Sequence, residues 1–198
     1  MKVKMKVKMK RIVFIYLMLC LNFLIFAQEK KQVKWERVIS EMTKANQGDT
    51  LTYRTEKKLA WSDFKMLPAS NNTQNYNIEL TFGVFKKKVN VWTGTLTVES
   101  YGGMRRDLSW VSAEHKSEQL LNYLQLKYEI ADYFAKKSEK EINSNKINAG
   151  NTNKVNGIIE KFLEERDKVL SQLDVECANG TRLETIESWK NKLRTGEL

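Results

Sequence analysis

The residues able to do chemistry are few, and their types already exclude much. The 198-residue chain has one histidine, His115, and two cysteines, Cys20 and Cys177. A zinc site of several histidines or of four cysteines is excluded, as are most Cys/His nucleophile schemes. His115 lies in Ser112-Ala-Glu-His-Lys116 and reads as a solvated loop histidine, with Glu114 the only hint of an acid–base neighbour. Cys177 reads as a buried thiol without chemistry. Asp63 reads as a turn or N-cap acceptor. Trp61, Phe64 and Trp110 read as anchors that tie loops to a core. Glu129, Asp132 and Glu139, with Lys136, Lys137 and Lys140, read as a solvated helix face with supporting ion pairs. Carboxylates alone can bind calcium, but no Asp-x-Asp-x-Asp-Gly loop occurs. No phosphate loop or dinucleotide fingerprint occurs either, and Gly102-Gly103 is too little to suggest one.

Charge narrows the partners. The formal charge is +10, from 34 Lys and Arg against 24 Asp and Glu. Residues 1–27 hold six of the basic residues and no acidic one, so the rest of the chain carries 28 against 24. A nucleic-acid partner is not indicated. Those 27 residues have a basic start through Arg11, an apolar run from Ile12 to Phe26 and a small residue at Ala27. This is the pattern of a secretory signal peptide, and the run is too short for a comfortable membrane span. Leu19 before Cys20 is too bulky for a lipoprotein signal. The expectation is an exported protein, periplasmic or secreted, starting near Gln28. It would touch a membrane only through the leader, if that is retained. With Cys177 alone left, no disulfide forms within the chain.

The elements that must position these residues follow from periodicity. Residues 28–50 are expected to form a helix and linker, with Trp35, Val38, Ile39 and Met42 at helical spacing. Leu51–Arg54 suits a short strand. Asn77–Phe85 alternates, with Ile78, Leu80, Phe82 and Val84 on one face. Val89–Ser100 is a second strand whose phase slips at Thr93-Gly94, where a bulge is expected. Lys86–Lys88 would be the turn between them. Glu118–Ile142 reads as a long helix with Leu121, Leu124, Ile130, Ala131 and Phe134 inward. Asn143–Gly157 is Asn-rich and reads as a loop. Val155 through Leu173 marks an amphipathic helix, and Asn179-Gly180 its stop. Thr181 and Glu184 have capping-box spacing for a last helix carrying Leu183, Ile186, Trp189 and Leu193. The expected class is α+β, with residues 51–198 as one domain: a small antiparallel sheet packed with a long central helix and C-terminal helices.

Three segments together resemble a known family: Leu59-Ala-Trp-Ser-Asp-Phe-Lys65, Leu108-Ser-Trp-Val111 and the run from Leu120 to Lys136. They are similar to a family of secreted bacterial zincin-like domains of uncharacterised function, presumed metalloproteases. Its members carry Leu-x-Trp-x-Asp-Phe-Lys, then Ser-Trp-Val, then a helix of the form Leu-Leu-x-His-Glu-Gln-x-His-Phe-Asp-Ile-Ala-Glu. The resemblance spans residues 51–195 and implies a zincin-like fold. In such a helix two histidines one turn apart bind zinc, and the glutamate acts as general base on the bound water. This chain has Tyr123 and Lys127 at the ligand positions and Leu124 at the base. Asn179 stands where the family tends to carry a further histidine. Gln125, Leu120-Leu121 and Ile130-Ala131 are retained.

The resemblance therefore implies a pseudoenzyme without metal, cofactor or hydrolysis. It would be a binding or structural protein of the cell envelope, with an unidentified protein or peptide as partner. Tyr123, Lys127 and Tyr128 are the expected lining of a persisting groove, and the strand Val89–Val98 a candidate for capturing an extended peptide. Two alternatives stand beside this reading. One is a hydrolase with a different site, marked by converging carboxylates or by a serine with a base. The other is a surface protein drawn to anionic polymers through Lys86–Lys88 and Arg105-Arg106.

Overall fold

The computed structural model describes residues 51–52, 58–68 and 74–198. The leader expected over residues 1–27 and the helix expected over residues 28–50 lie outside these. The elements are β1 (Leu51–Thr52), β2 (Tyr76–Asn77), β3 (Leu80–Val89), β4 (Leu96–Arg105), β5 (Trp110–Val111), α1 (Glu118–Ser144), α2 (Thr152–Glu176) and α3 (Leu183–Thr195). Short 3₁₀ turns occupy Trp61–Asp63 and Ala113–His115. The class is α+β, as expected. All strand pairing is antiparallel, in sheets ordered β1-β4-β3 and β2-β5.

The β3–β4 hairpin dominates the strand part, but its turn is not where the lysines suggested. Lys86–Lys88 lies inside β3, and the bulge falls at Lys87, between the Lys86–Val98 and Lys88–Thr97 pairs. The chain reverses at Asn90–Gly94. Asn90 Oδ1 accepts from the amides of Trp92 (2.9 Å) and Thr93 (3.1 Å), and Gly94 takes φ +68°. An Asx turn ending in a left-handed glycine reverses a strand without help from charge. The phase slip at Thr93-Gly94 is therefore the reversal itself.

α1 lies between the hairpin on one side and α2 and α3 on the other. Its burial shows this: Tyr123, Leu124, Leu126, Lys127, Tyr128, Ile130 and Ala131 are all buried, more than a single amphipathic stripe would cover. Phe82, Leu96, Val98 and Met104 meet it from the sheet; Phe162, Leu173, Ile186 and Trp189 belong to the same core from the helices.

Strand and helix approach so closely that α1 completes the sheet edge. Among the described residues, β1 pairs with β4 at Met104 and Arg105, and along Val98–Gly102 the strand amides are met on that side by side chains of α1. Asn143 Oδ1 accepts from Val98 N (2.9 Å) and its Nδ2 donates to Val98 O (3.0 Å). Glu139 accepts from Ser100 N (2.7 Å), and Asp132 from Gly102 N (2.6 Å). Asp132 and Glu139 are thus not a solvated face, as expected from sequence. They satisfy strand amides whose burial unpaired would be costly. Gly102 permits the approach: a Cβ there would lie 2.6 Å from Asp132 N.

The loop expected over the Asn-rich stretch is shorter than the stretch itself, residues 145–151, with helix on both sides. α1 runs to Ser144 and α2 starts at Thr152, with Asn151 Oδ1 accepting from Lys154 N (3.2 Å) as its N-cap. α2 stops where expected, and Ala178, Asn179 and Gly180 all take positive φ. The capping box at Thr181 does not form. Arg182 is the N-cap of α3, and Thr181 Oγ1 instead donates to Ala178 O (3.0 Å). No described helix is long and apolar enough to cross a membrane.

Candidate functional site

The site starts from helical spacing. Tyr123 and Lys127 are one turn apart on α1, so their side chains leave the same face. Asp174, in the last turn of α2, meets both. Lys127 Nζ lies 2.8 and 2.9 Å from its two carboxylate oxygens, and the Tyr123 hydroxyl donates to Oδ1. Gly180, just beyond α2, lies against the Tyr123 ring, where a Cβ would come within 2.7 Å. Tyr76 of β2 meets Tyr123 edge-on, with ring centroids 6.4 Å apart. The Lys127 ammonium sits 5.9 Å from the Tyr76 ring centre and 5.7 Å from that of Tyr123.

Lys127 is only 8 % exposed, so its charge needs this partner. The same environment keeps both phenols neutral. Burial, then the Asp174 charge, pushes Tyr76 up to about 12, with a hydrogen bond to Tyr123 offsetting part of the rise. Burial, then the hydrogen bond to Asp174, pushes Tyr123 higher still. A tyrosine one turn from a lysine makes an acid–base pair when the ammonium lowers the phenol. Here the ammonium is engaged by Asp174 and the phenol holds its proton more tightly, which is the wrong direction for proton transfer near neutrality.

This set does not fit zinc. An ammonium is no ligand, the phenol is neutral, and Asp174 already accepts from two donors. Among the described residues, no group of three or more His, Cys, Asp or Glu is placed to hold a metal ion.

The cluster forms one wall of a cavity of about 790 Å³. Lys127, Asp174, Asn179 and Gly180 line it, with Tyr76, Gln119 and His115 around them. Of the residues singled out from sequence, Tyr123, Lys127 and Asn179 are brought together here. Tyr123 is wholly buried and reaches the cavity only through its contacts with Asp174, Tyr76 and Gly180. Leu124 is wholly buried in the core. Tyr128 is a correction: it is buried, and its hydroxyl donates to Gly102 O (3.3 Å), so it belongs to the strand–helix interface and not to a groove.

Other candidates carry less. His115 is exposed, as expected of a loop histidine, and its Nδ1 lies 2.9 Å from Ser112 Oγ. The Ser112 hydroxyl also lies within hydrogen-bond distance of Asn75 O (3.0 Å), so it is shared between the loop backbone and the imidazole. Cys177 is fully buried, and burial, then nearby carboxylates, pushes its thiol up. Arg105 pairs with Asp107 (2.7 Å) and Arg106 with buried Asp63 (3.2 Å), so both arginines are engaged internally.

The first segment of the resemblance is tied to the helix, and the residue that follows it is tied to Ser109 of the second. Gln125 of α1 accepts from Leu59 N (2.8 Å) and donates to Glu129 (3.0 Å). Asp63 accepts from Ala60 N (3.0 Å) as well as pairing with Arg106. Met66 N donates to Ser109 O (3.1 Å), and Ser109 Oγ accepts from Glu79 N (3.0 Å). Trp110 is buried, and the Trp61 and Phe64 rings meet at a tilt with centroids 5.9 Å apart, both packed against the core, as anchors would be.

Sequence reasoning missed Asp174 and Tyr76. The signal for Asp174 was present: a lysine set among Leu124, Leu126 and Tyr128 on a core helix must find an acid. Which acid depends on how α2 ends against α1, which periodicity does not reveal. No protein-family model, curated protein or solved structure matches this chain.

Proposed function

We propose that this protein is an exported, non-catalytic binding or structural protein of the cell envelope, built on a zincin-like frame. In it the Lys127–Asp174 ion pair stands where a metalloprotease would hold zinc. One observation carries the reading: the residues at the two expected ligand positions, Tyr123 and Lys127, both spend their polar atoms on Asp174. The lysine supplies internally the positive charge that a metal would bring, and it tethers α1 to α2. The retained motif segments then serve as scaffold through Gln125, Asp63 and Ser109.

The cavity beside the ion pair is the natural place for a peptide or protein partner. It offers the Tyr76 ring and the Asn179 amide around a charge pair that is balanced overall, while the Gln119 side chain donates to Gly180 O (3.0 Å) and Thr181 O (2.9 Å) and braces the wall. Strand addition to the outer side of β4 is not part of the proposal, because α1 side chains occupy Val98–Gly102. The test is digestion of an unfolded protein substrate with added zinc. The expected result is no cleavage above background and no effect of a chelator. Chelator-sensitive cleavage would overturn the proposal.

A further inference from the structure

Far from the ion pair, the tip of the β3–β4 hairpin presents two adjacent apolar side chains to solvent. Val91 is 75 % exposed and Trp92 93 % exposed. Isolated surface apolar residues need no explanation, but this pair sits on a turn built to hold it. The Asn90 side chain accepts from Trp92 N and Thr93 N, Gly94 N donates to Asn90 O (2.8 Å), and Asn90 N to Thr95 O (2.9 Å). The loop after α1 braces the base: Ala149 N donates to Gly94 O (2.9 Å) and Leu96 N to Ile147 O (2.8 Å). The tip is therefore ordered while its largest side chain packs on almost nothing.

The charge around it has one predominant sign. Lys86, Lys87 and Lys88 lead into the turn, Lys87 and Lys88 are exposed, and Lys146 belongs to the bracing loop. The acid across the hairpin is Glu99, 3.8 Å from Lys87. A tryptophan with an apolar neighbour, backed by lysines, has the chemistry of a water–lipid boundary. The indole sits at headgroup depth, the valine enters the acyl edge, and the ammonium groups reach phosphates. A soluble polyanion would use the lysines but gain nothing from Val91 and Trp92.

We propose that this hairpin tip docks onto the headgroup layer of an anionic phospholipid membrane, with Val91 and Trp92 inserted and Lys87 and Lys88 facing the phosphates. This adds a second membrane contact to the one expected of the leader.

The test uses the full chain with phosphatidylglycerol-containing vesicles and, separately, with phosphatidylcholine vesicles. Subtracting the fluorescence of Trp92→Phe isolates the Trp92 emission, so binding through the apolar N-terminal run does not enter the reading. The expected result is a blue shift of that emission, with quenching by brominated lipid, on the anionic vesicles only. In the double variant Lys87→Gln/Lys88→Gln the shift should be lost at a salt concentration where the parent retains it. An unchanged Trp92 emission, an equal shift on neutral vesicles, or the same shift with heparin in place of lipid would each overturn the proposal.

Discussion

Lys127 shows how much one residue type can decide. Its buried ammonium is satisfied by Asp174, whose carboxylate also receives the Tyr123 hydroxyl. Lys127→Met would leave Asp174 with the phenol alone. Its carboxylate keeps some exposure, so the cost falls below that of a fully buried orphan charge. We expect a loss of about 2 kcal/mol in unfolding free energy. A double-mutant cycle with Asp174→Asn should return a coupling of about 1–3 kcal/mol; a coupling near zero would remove the ion pair from the account. The phenols give a pH signature. A free tyrosine ionises near 10, whereas Tyr76 is pushed up to about 12 and Tyr123 higher. Below about pH 10 both states keep the protons. Between there and the raised values the unfolded chain releases its protons first, so stability falls as pH rises, by roughly 1.4 kcal/mol per pH unit for each phenol. Denaturant unfolding at about pH 9 and about pH 11 should show this loss, and Tyr76→Phe should reduce it. An equal loss in the variant would show that Tyr76 is not shielded.

At the scale of elements, the junction between β4 and α1 organises the fold. Gly102→Ala would drive a Cβ into the backbone of Asp132, which no side-chain rotation relieves. Thermal unfolding should register a loss of about 3 kcal/mol or failure to fold. A variant as stable as the parent would mean that helix and strand are not held this closely. This junction was invisible in the sequence. Asp132 and Glu139 lie among lysines at helical spacing, the pattern of a solvated face, and only the amides of β4 packed against α1 turn them inward. The long helix and the alternation through Phe82 and Val84 were legible because burial imposes a period on them. The hairpin reversal was not, because Val91 and Trp92 look like strand residues and three lysines look like a turn. The exposure that makes the tip a membrane contact candidate is also what hid the turn. The Thr181–Glu184 spacing misled for a local reason: the Thr181 hydroxyl goes back to the end of α2.

Taken whole, the described part of the molecule is an α+β structure in which the segment around Leu59 is tied both to the long helix and to the loop after β4. Leu59 reaches Gln125, Asp63 reaches Arg106, and Ser109 joins the loop at Met66 to the start of β3. Those segments stood out together in the sequence by their order and spacing. At the centre the sequence singled out Tyr123, Leu124, Lys127 and Asn179 but gave Lys127 no partner. The ion pair of Lys127 with Asp174, a partner from another helix, needed three dimensions. The central claim is that this centre is held by Lys127 and Asp174 and takes no metal. It is tested most directly by the zinc content of the purified chain after dialysis against zinc. The account predicts less than about a tenth of an equivalent, because the site lacks a tetrahedral ligand set. Close to one equivalent per chain, lost when Asp174 is changed to asparagine, would contradict it.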